Sequence, residues 1–201
     1  MKQGQPLGEH AVRGKNLLLR SPKIGDALAF RDFNDKLVEE KEKNPELAIV
    51  DPDSRISDGQ AREWVARMVK SMESEDLVSV FAYDGHALVG TCNIHRPRAR
   101  ELRHTGLLDI ALLDDYRGLG LGSRMVTESL GLAMSMGVWL IELRVFSNNY
   151  AAIRLYQKAG FTESGVVPNF VRKNGRYLDD VQMYIDLRDS DKSSTRARPK
   201  S

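Results

Sequence analysis

Cysteine is almost absent from these 201 residues: Cys92 stands alone, so no internal disulfide forms and the chain must be held together by burial. No apolar run reaches the length of about 20 residues that a membrane-crossing helix needs. Nor does a charged-then-apolar leader follow Met1. Together with the single thiol, this points to a soluble protein of a reducing cytoplasm, with no membrane partner. Charge of one sign is missing too, since 30 Lys and Arg face 28 Asp and Glu. The net +2 sits in the tail, where Arg188, Lys192, Arg196, Arg198 and Lys200 oppose only Asp189 and Asp191, leaving −1 for the rest. That is not the broad basic balance of a nucleic-acid binder. His95 and His104 have no Cys or carboxylate grouping of the metal-binding kind, so no metal is expected. Cys92, within Val89-Gly90-Thr91-Cys92-Asn93-Ile94, reads as a small buried hydrophobe rather than an acyl-carrying nucleophile.

With 41% hydrophobic residues, the chain can bury one substantial core, and its length suits one domain. Residues 1–15 are polar and Gly-rich and read as a flexible segment, with order beginning near Lys15; residues 188–201 are Ser-rich, basic and aperiodic, and read as disordered. The domain is thus placed at 16–187. Residues 16–20 form a short apolar run stopped by Ser21-Pro22, as a first strand would be. Helical periodicity follows over 25–43 (Leu28, Phe30, Phe33, Leu37, Val38) and 58–72 (Trp64, Val65, Met68, Val69), with Asn44-Pro45 and Asp51-Pro52-Asp53 breaking it between. Residues 77–83 and 87–94 are β-rich and joined by Asp84-Gly85, a hairpin signal. Residues 107–113, a glycine turn, a helix carrying Ser123, Met125, Val126, Leu130 and Ala133, and 138–146 then read as strand, helix, strand. A helix over 151–158 and a hairpin of 166–172 with 176–187, turned at Asn174-Gly175, complete the order.

Arg117-Gly118-Leu119-Gly120-Leu121-Gly122 carries the chemistry. Alternating glycines after a strand let the backbone turn tightly and expose successive N–H groups, and the helix that begins there adds its positive end, which suits a diphosphate. A mononucleotide loop would need Gly-Lys-Ser/Thr, whereas Ser123-Arg124 follows here. The dinucleotide fingerprint counted from Gly118 has Ser123 where its last glycine belongs, although Glu142 stands about 20 residues downstream; a nicotinamide-dependent oxidoreductase is thus a weaker alternative.

The same stretch resembles the Arg/Gln-x-x-Gly-x-Gly motif of the GCN5-related N-acetyltransferase family, with Arg117, Gly120 and Gly122 at its defined positions. Further on, Asn149, Ala152, Leu155, Tyr156, Gly160 and Phe161 match every defined position of that family's second signature, Asn-x-x-Ala-x-x-Leu-Tyr-x-x-x-Gly-Phe. The resemblance, over roughly 16–187, implies an α/β fold of the acyl-CoA N-acyltransferase type. This is a mixed, mostly antiparallel sheet with helices on both faces and a V-shaped splay between two parallel strands. It implies acetyl-CoA as cosubstrate, with Leu112, Leu113 and Asp114 on the pantetheine arm together with Asn149 and Ala152. The pyrophosphate falls to Arg117, Gly118, Leu119, Gly120, Leu121, Gly122 and Ser123, and Lys158 reaches the ribose phosphate.

An amine attacking a thioester requires a base, an oxyanion donor and an acid for the departing thiolate. By resemblance Tyr156 is the acid, and a phenol of pKa about 10 can donate yet stay protonated at neutral pH; its position on a buried helix face also fits plain packing. Alternation in 107–112 sets Asp109 on the face opposite Ile110 and Leu112, toward an acceptor channel, as a candidate base. The family's commonest glutamate position is Leu107 here, so Asp109 equally fits a carboxylate satisfied by neighbouring donors. The acceptor segments implied are 44–57 and 168–176, whose Asp51, Asp53 and Asp58 against Arg172, Lys173 and Arg176 do not choose a charge for the substrate. A small-molecule amine or a protein amine fits, and dimers are common in the family. A non-catalytic coenzyme A-binding regulatory module is the remaining alternative, and it would need neither Tyr156 nor Asp109.

Overall fold

The computed structural model describes residues 1–12, 14–44 and 52–188. In chain order the elements are β1 (Pro6–Val12), β2 (Lys15–Arg20), α1 (Ala27–Lys43), α2 (Asp58–Glu73), β3 (Leu77–Asp84), β4 (Ala87–His95), β5 (Thr105–Leu112), α3 (Leu121–Ser135), β6 (Leu140–Phe146), α4 (Tyr150–Lys158), β7 (Thr162–Lys173) and β8 (Arg176–Asp186). Local chemistry sets the boundaries. The Ser57 hydroxyl accepts from the Gln60 N–H and the Gln60 side chain accepts from the Ser57 N–H, a reciprocal cap that starts α2. The β7–β8 turn takes positive φ at both Asn174 (48°) and Gly175 (76°), the geometry that a right-twisted two-residue hairpin requires. No helix among the described residues is long and apolar enough to cross a membrane.

One mixed sheet runs in the order β1-β2-β3-β4-β5-β6-β8-β7. β3 and β4 are buried along nearly their whole length, because helices cover both faces. On one face Phe81 of β3 stacks on Phe30 of α1 at 6.2 Å, and Phe30 on Trp64 of α2 at 5.3 Å. On the other, Gly90 of β4 lies against Met125 of α3. Cross-strand register carries each face along the sheet. Phe81↔Thr91↔Ala111 belongs to the α1–α2 side, and so does Ser79↔Asn93↔Asp109, while Ala82↔Gly90↔Leu112 belongs to the α3 side.

One feature differs from the sequence reading. Order does not wait for Lys15: residues 6–12 form the edge strand β1, paired antiparallel with β2 from Val12↔Lys15 to Pro6↔Arg20. Only Leu7 and Val12 of this strand rest against the core, so its apolar alternation is too faint to read as a strand. The expected closing hairpin forms, and β8 lies between β6 and β7, an order that no local signal encodes. Of the tail expected to be disordered, 188–201, Arg188 is described and pairs with Asp186 at 2.6 Å, while 189–201 lie outside the described residues, as do 45–51.

All neighbours are antiparallel except β5 and β6, which pair in parallel at only Thr105↔Leu140, Gly106↔Ile141 and Leu107↔Glu142. Beyond that, β5 continues to Leu112 against β4 alone and β6 to Phe146 against β8 alone. The sheet therefore opens as a V from within. Its closed end is tight, because a Cβ at Gly106 would stand 2.5 Å from Ile94 Cγ2 and 3.1 Å from Val138 Cγ1. Gly106→Val is expected to destabilise the fold by about 1–3 kcal/mol through overpacking, read as a lowered Tm. An unchanged Tm would contradict this packing of the apex.

Candidate active site

The V opens a cleft of about 1110 Å³ that passes from the glycine turn and α4 to the aromatic side chains under α1 and α2. At the turn, Gly118 (φ 69°) and Gly120 (φ 81°) are left-handed, and Gly120 is the N-cap of α3. The first helical bond of α3 runs from Arg124 N–H to Gly120 O at 3.1 Å. The N–H groups of Leu121, Gly122 and Ser123 therefore have no acceptor within the helix. Gly118, Gly120, Gly122 and Ser123 line the cleft, so the positive end of α3 opens into it.

Arg117 is tied down. Its Nε and Nη2 donate to Leu112 O at 2.9 and 2.7 Å, Nη1 to Asp114 Oδ1 at 3.1 Å and Nη2 to Glu40 Oε2 at 2.5 Å. Glu40 Oε1 also accepts the Asp114 N–H at 2.8 Å, and Leu113 N–H donates to Val89 O at 3.0 Å. Of the positions expected to meet a coenzyme, Leu112, Arg117, Asn149, Ala152, Tyr156 and Lys158 line the cleft with the three turn glycines and Ser123. Leu113 and Leu121 are buried in the core instead, and neither Asp114 nor Leu119 is in the lining. Asn149 Oδ1 caps α4 by accepting from the Ala152 N–H at 3.1 Å. Arg154, not singled out in the sequence, lines the cleft one helical turn before Lys158 on the same face of α4.

Across the V, β4–β5 register builds a polar chain. Ser79 Oγ donates to Asn93 Oδ1 at 2.7 Å, Asn93 Nδ2 donates to Asp109 Oδ1 at 2.7 Å, and His95 Nε2 meets Asp109 Oδ2 at 2.8 Å. The hydrogen bond to Asp109 holds the His95 pKa above 6.5, outweighing the opposing effect of burial. The sequence reading sets His95 aside as lacking a carboxylate partner and does not single out Asn93, although alternation on β4 opposite Asp109 finds both once the register is known. Tyr156 is buried on α4, edge-on to Phe161 at 5.8 Å, and lines the cleft. Burial, then the proximity of Cys92 and Asp109, raises its phenol pKa, so it stays protonated at neutral pH. Cys92 is fully buried and burial pushes its thiol up to about 12, which leaves it inert as a nucleophile.

On the acceptor side, Pro52, Asp53, Ser54 and Ile56 line the cleft near Phe30, Phe33 and Trp64. Asp53 pairs with Lys41 at 2.6 Å and Asp58 with Arg31, while Asp51 lies outside the described residues. The closing hairpin adds no lining residue and reaches the cleft through Phe170, stacked 4.1 Å from the guanidinium of the lining residue Arg144. Arg172, Lys173 and Arg176 are not in the lining. Among the described residues no group of His, Cys, Asp and Glu could hold a metal ion.

Residues 39–161 match the model of the acetyltransferase (GNAT) family. Among curated proteins, an L-methionine sulfoximine/L-methionine sulfone acetyltransferase of Pseudomonas paraeruginosa is 35% identical over 74 residues, which are 37% of this chain and 43% of that protein. The match thus spans less than half of that relative. An L-amino acid N-acyltransferase of Escherichia coli is 27% identical over 69% of this chain and 75% of its own. Among solved structures, a protein of Salmonella typhimurium determined with its cofactor acetyl-CoA superposes with a TM-score of 0.70 at 19% identity, covering 92% of this chain and 98% of that one. It shares the fold.

The His95–Asp109 pair has a measurable signature. Because the folded-state pKa of His95 is raised, the pair's contribution to stability is fully present below pH 6.5 and is lost as pH rises through the raised value. In an NMR titration, His95 is expected to titrate above 6.5, and in Asp109→Asn to return toward it. A His95 titrating at or below 6.5 in the parent protein would contradict the pairing.

Proposed function

Because the chain belongs to the acetyltransferase (GNAT) family, we propose that it is an N-acetyltransferase that moves the acetyl group of acetyl-CoA to the primary amine of a small molecule. One observation carries the reading: the N–H groups at the start of α3 open into the same cleft as the His95–Asp109 pair and Tyr156. The cosubstrate supplies an acetyl thioester. The N–H groups of residues 118–123 suit its pyrophosphate, with Arg117 close by, and Arg154 and Lys158 suit its remaining phosphate. Asn149, Ala152 and the end of β5 at Leu112 suit the pantetheine arm in the open V.

In the transfer a nitrogen–carbon bond forms and a carbon–sulfur bond breaks, so one proton must leave the amine and one must reach sulfur. His95, held by Asp109, takes the first, and a histidine with a raised pKa is the stronger base for it. Tyr156 gives the second from its phenol, kept protonated by burial. Ser79 and Asn93 orient Asp109 and leave its second oxygen for His95. Phe30, Phe33 and Trp64 make the acceptor wall apolar, which favours an amine carrying an apolar group. The small-molecule acceptors in the relatives' names support this over a protein amine.

Release of free thiol from acetyl-CoA is expected with a panel of amino acids and small amines. Calorimetry is expected to show binding of acetyl-CoA and not of a nicotinamide dinucleotide; the reverse would overturn the assignment. Tyr156→Phe is expected to lower kcat by about 100-fold with acetyl-CoA affinity nearly intact. Equal rates across a pH series would remove Tyr156 from its role. The parent kcat/KM is expected to rise with pH through an inflection above 6.5, and that inflection moves to lower pH in Asp109→Asn.

A further inference from the structure

The glycine turn has a second neighbour that the cleft does not include. β1 runs behind it, on the side away from the cleft: His10 Nε2 lies 3.2 Å from Leu119 O, and a Cβ at Gly120 would stand 3.7 Å from His10 Cε1. His10 is not among the residues lining the cleft. Leu119 O can only accept, so Nε2 carries the proton and His10 donates. Two residues before it on the strand, a Cβ at Gly8 would stand 3.1 Å from Arg124 Nη2 in the first turn of α3, where Arg124 is paired with Glu128 at 2.6 Å. The edge strand therefore hydrogen-bonds the turn and lies close beside the first turn of the helix.

We propose that His10 is a positioning residue for the diphosphate of the cosubstrate, acting through the Leu119–Gly120 peptide. In a trans peptide the carbonyl and the following N–H point in opposite directions. Fixing Leu119 O toward β1 thus aims the Gly120 N–H away from β1, into the cleft that Gly120 lines. Gly120 at φ 81° has no side chain to hold this orientation, and a glycine-rich turn left to itself samples several. A donor anchored on a paired strand removes that freedom before the anion arrives, so the cost of ordering is not met on binding. His10 stands opposite Leu17 within the regular β1–β2 register from Val12↔Lys15 to Gly8↔Leu19, which mounts it on the sheet.

This inference rests on the coenzyme A reading, and its test separates the two. Calorimetric titration with coenzyme A compares the parent, His10→Phe, which keeps a ring and loses the donor, and His10→Gln, whose amide restores one. His10→Phe is expected to bind about 5- to 10-fold more weakly, and His10→Gln to recover to within about 2-fold, the scale of one hydrogen bond. With S-acetylpantetheine, a thioester that lacks the diphosphate, kcat/KM is expected to stay within about 2-fold in both variants. A His10→Phe variant that binds coenzyme A as tightly as the parent overturns the proposal. So does one that loses the same factor on S-acetylpantetheine, which would mark general damage. A parent protein that does not bind coenzyme A at all would overturn both readings.

Discussion

Beyond Leu107, β5 and β6 run side by side in the same direction without sharing hydrogen bonds, and a sheet that parts from within leaves backbone donors and acceptors facing a gap. Closing the V would satisfy them but remove the cleft. The fold keeps it open by giving each strand a full partner on its other side, β4 for β5 and β8 for β6. Crowding at Gly106 then fixes where the strands separate. Some of the freed groups are met locally, as when Arg117 turns back to Leu112 O. Others remain for an extended ligand that can hydrogen-bond along a strand.

The two ends of the gap are electrostatically unlike. At one, the start of α3 presents N–H groups, and Arg154 and Lys158 add positive charge. At the other, Asp109 brings negative charge, held by Asn93 and His95 rather than by lysine or arginine. Under the proposed function, the anionic cosubstrate and the cationic amine would enter at opposite mouths of one passage. Tyr156, packed edge-on to Phe161, is buried enough to stay protonated at neutral pH.

The parts of this arrangement that were legible in the sequence are those encoded by neighbouring residues. Helical period in 58–72, the Asp84-Gly85 and Asn174-Gly175 turns, and the Arg117 to Gly122 run each declare themselves within a few positions, and the elements stand where those signals put them. Long-range contacts were silent. Only Leu7 and Val12 of β1 rest against the core, both partly buried, so nothing in Pro6–Val12 announces a strand, and its relation to the glycine turn depends on His10 reaching Leu119 across the fold. His95 looked isolated because its partner, Asp109, is adjacent only through strand register. Glu40 likewise meets Arg117 and Asp114 from a helix far away in sequence.

The central claim is that the opened V and the glycine turn receive coenzyme A. Backbone amide hydrogen exchange with and without the coenzyme tests it most directly, because it reads the proposed donors themselves. The expected result is slowed exchange at residues 118–123 and around Asn149 and Ala152, with β3 little changed. Binding that leaves residues 118–123 exchanging at their free rate, or protection confined to the β7–β8 hairpin, would contradict it.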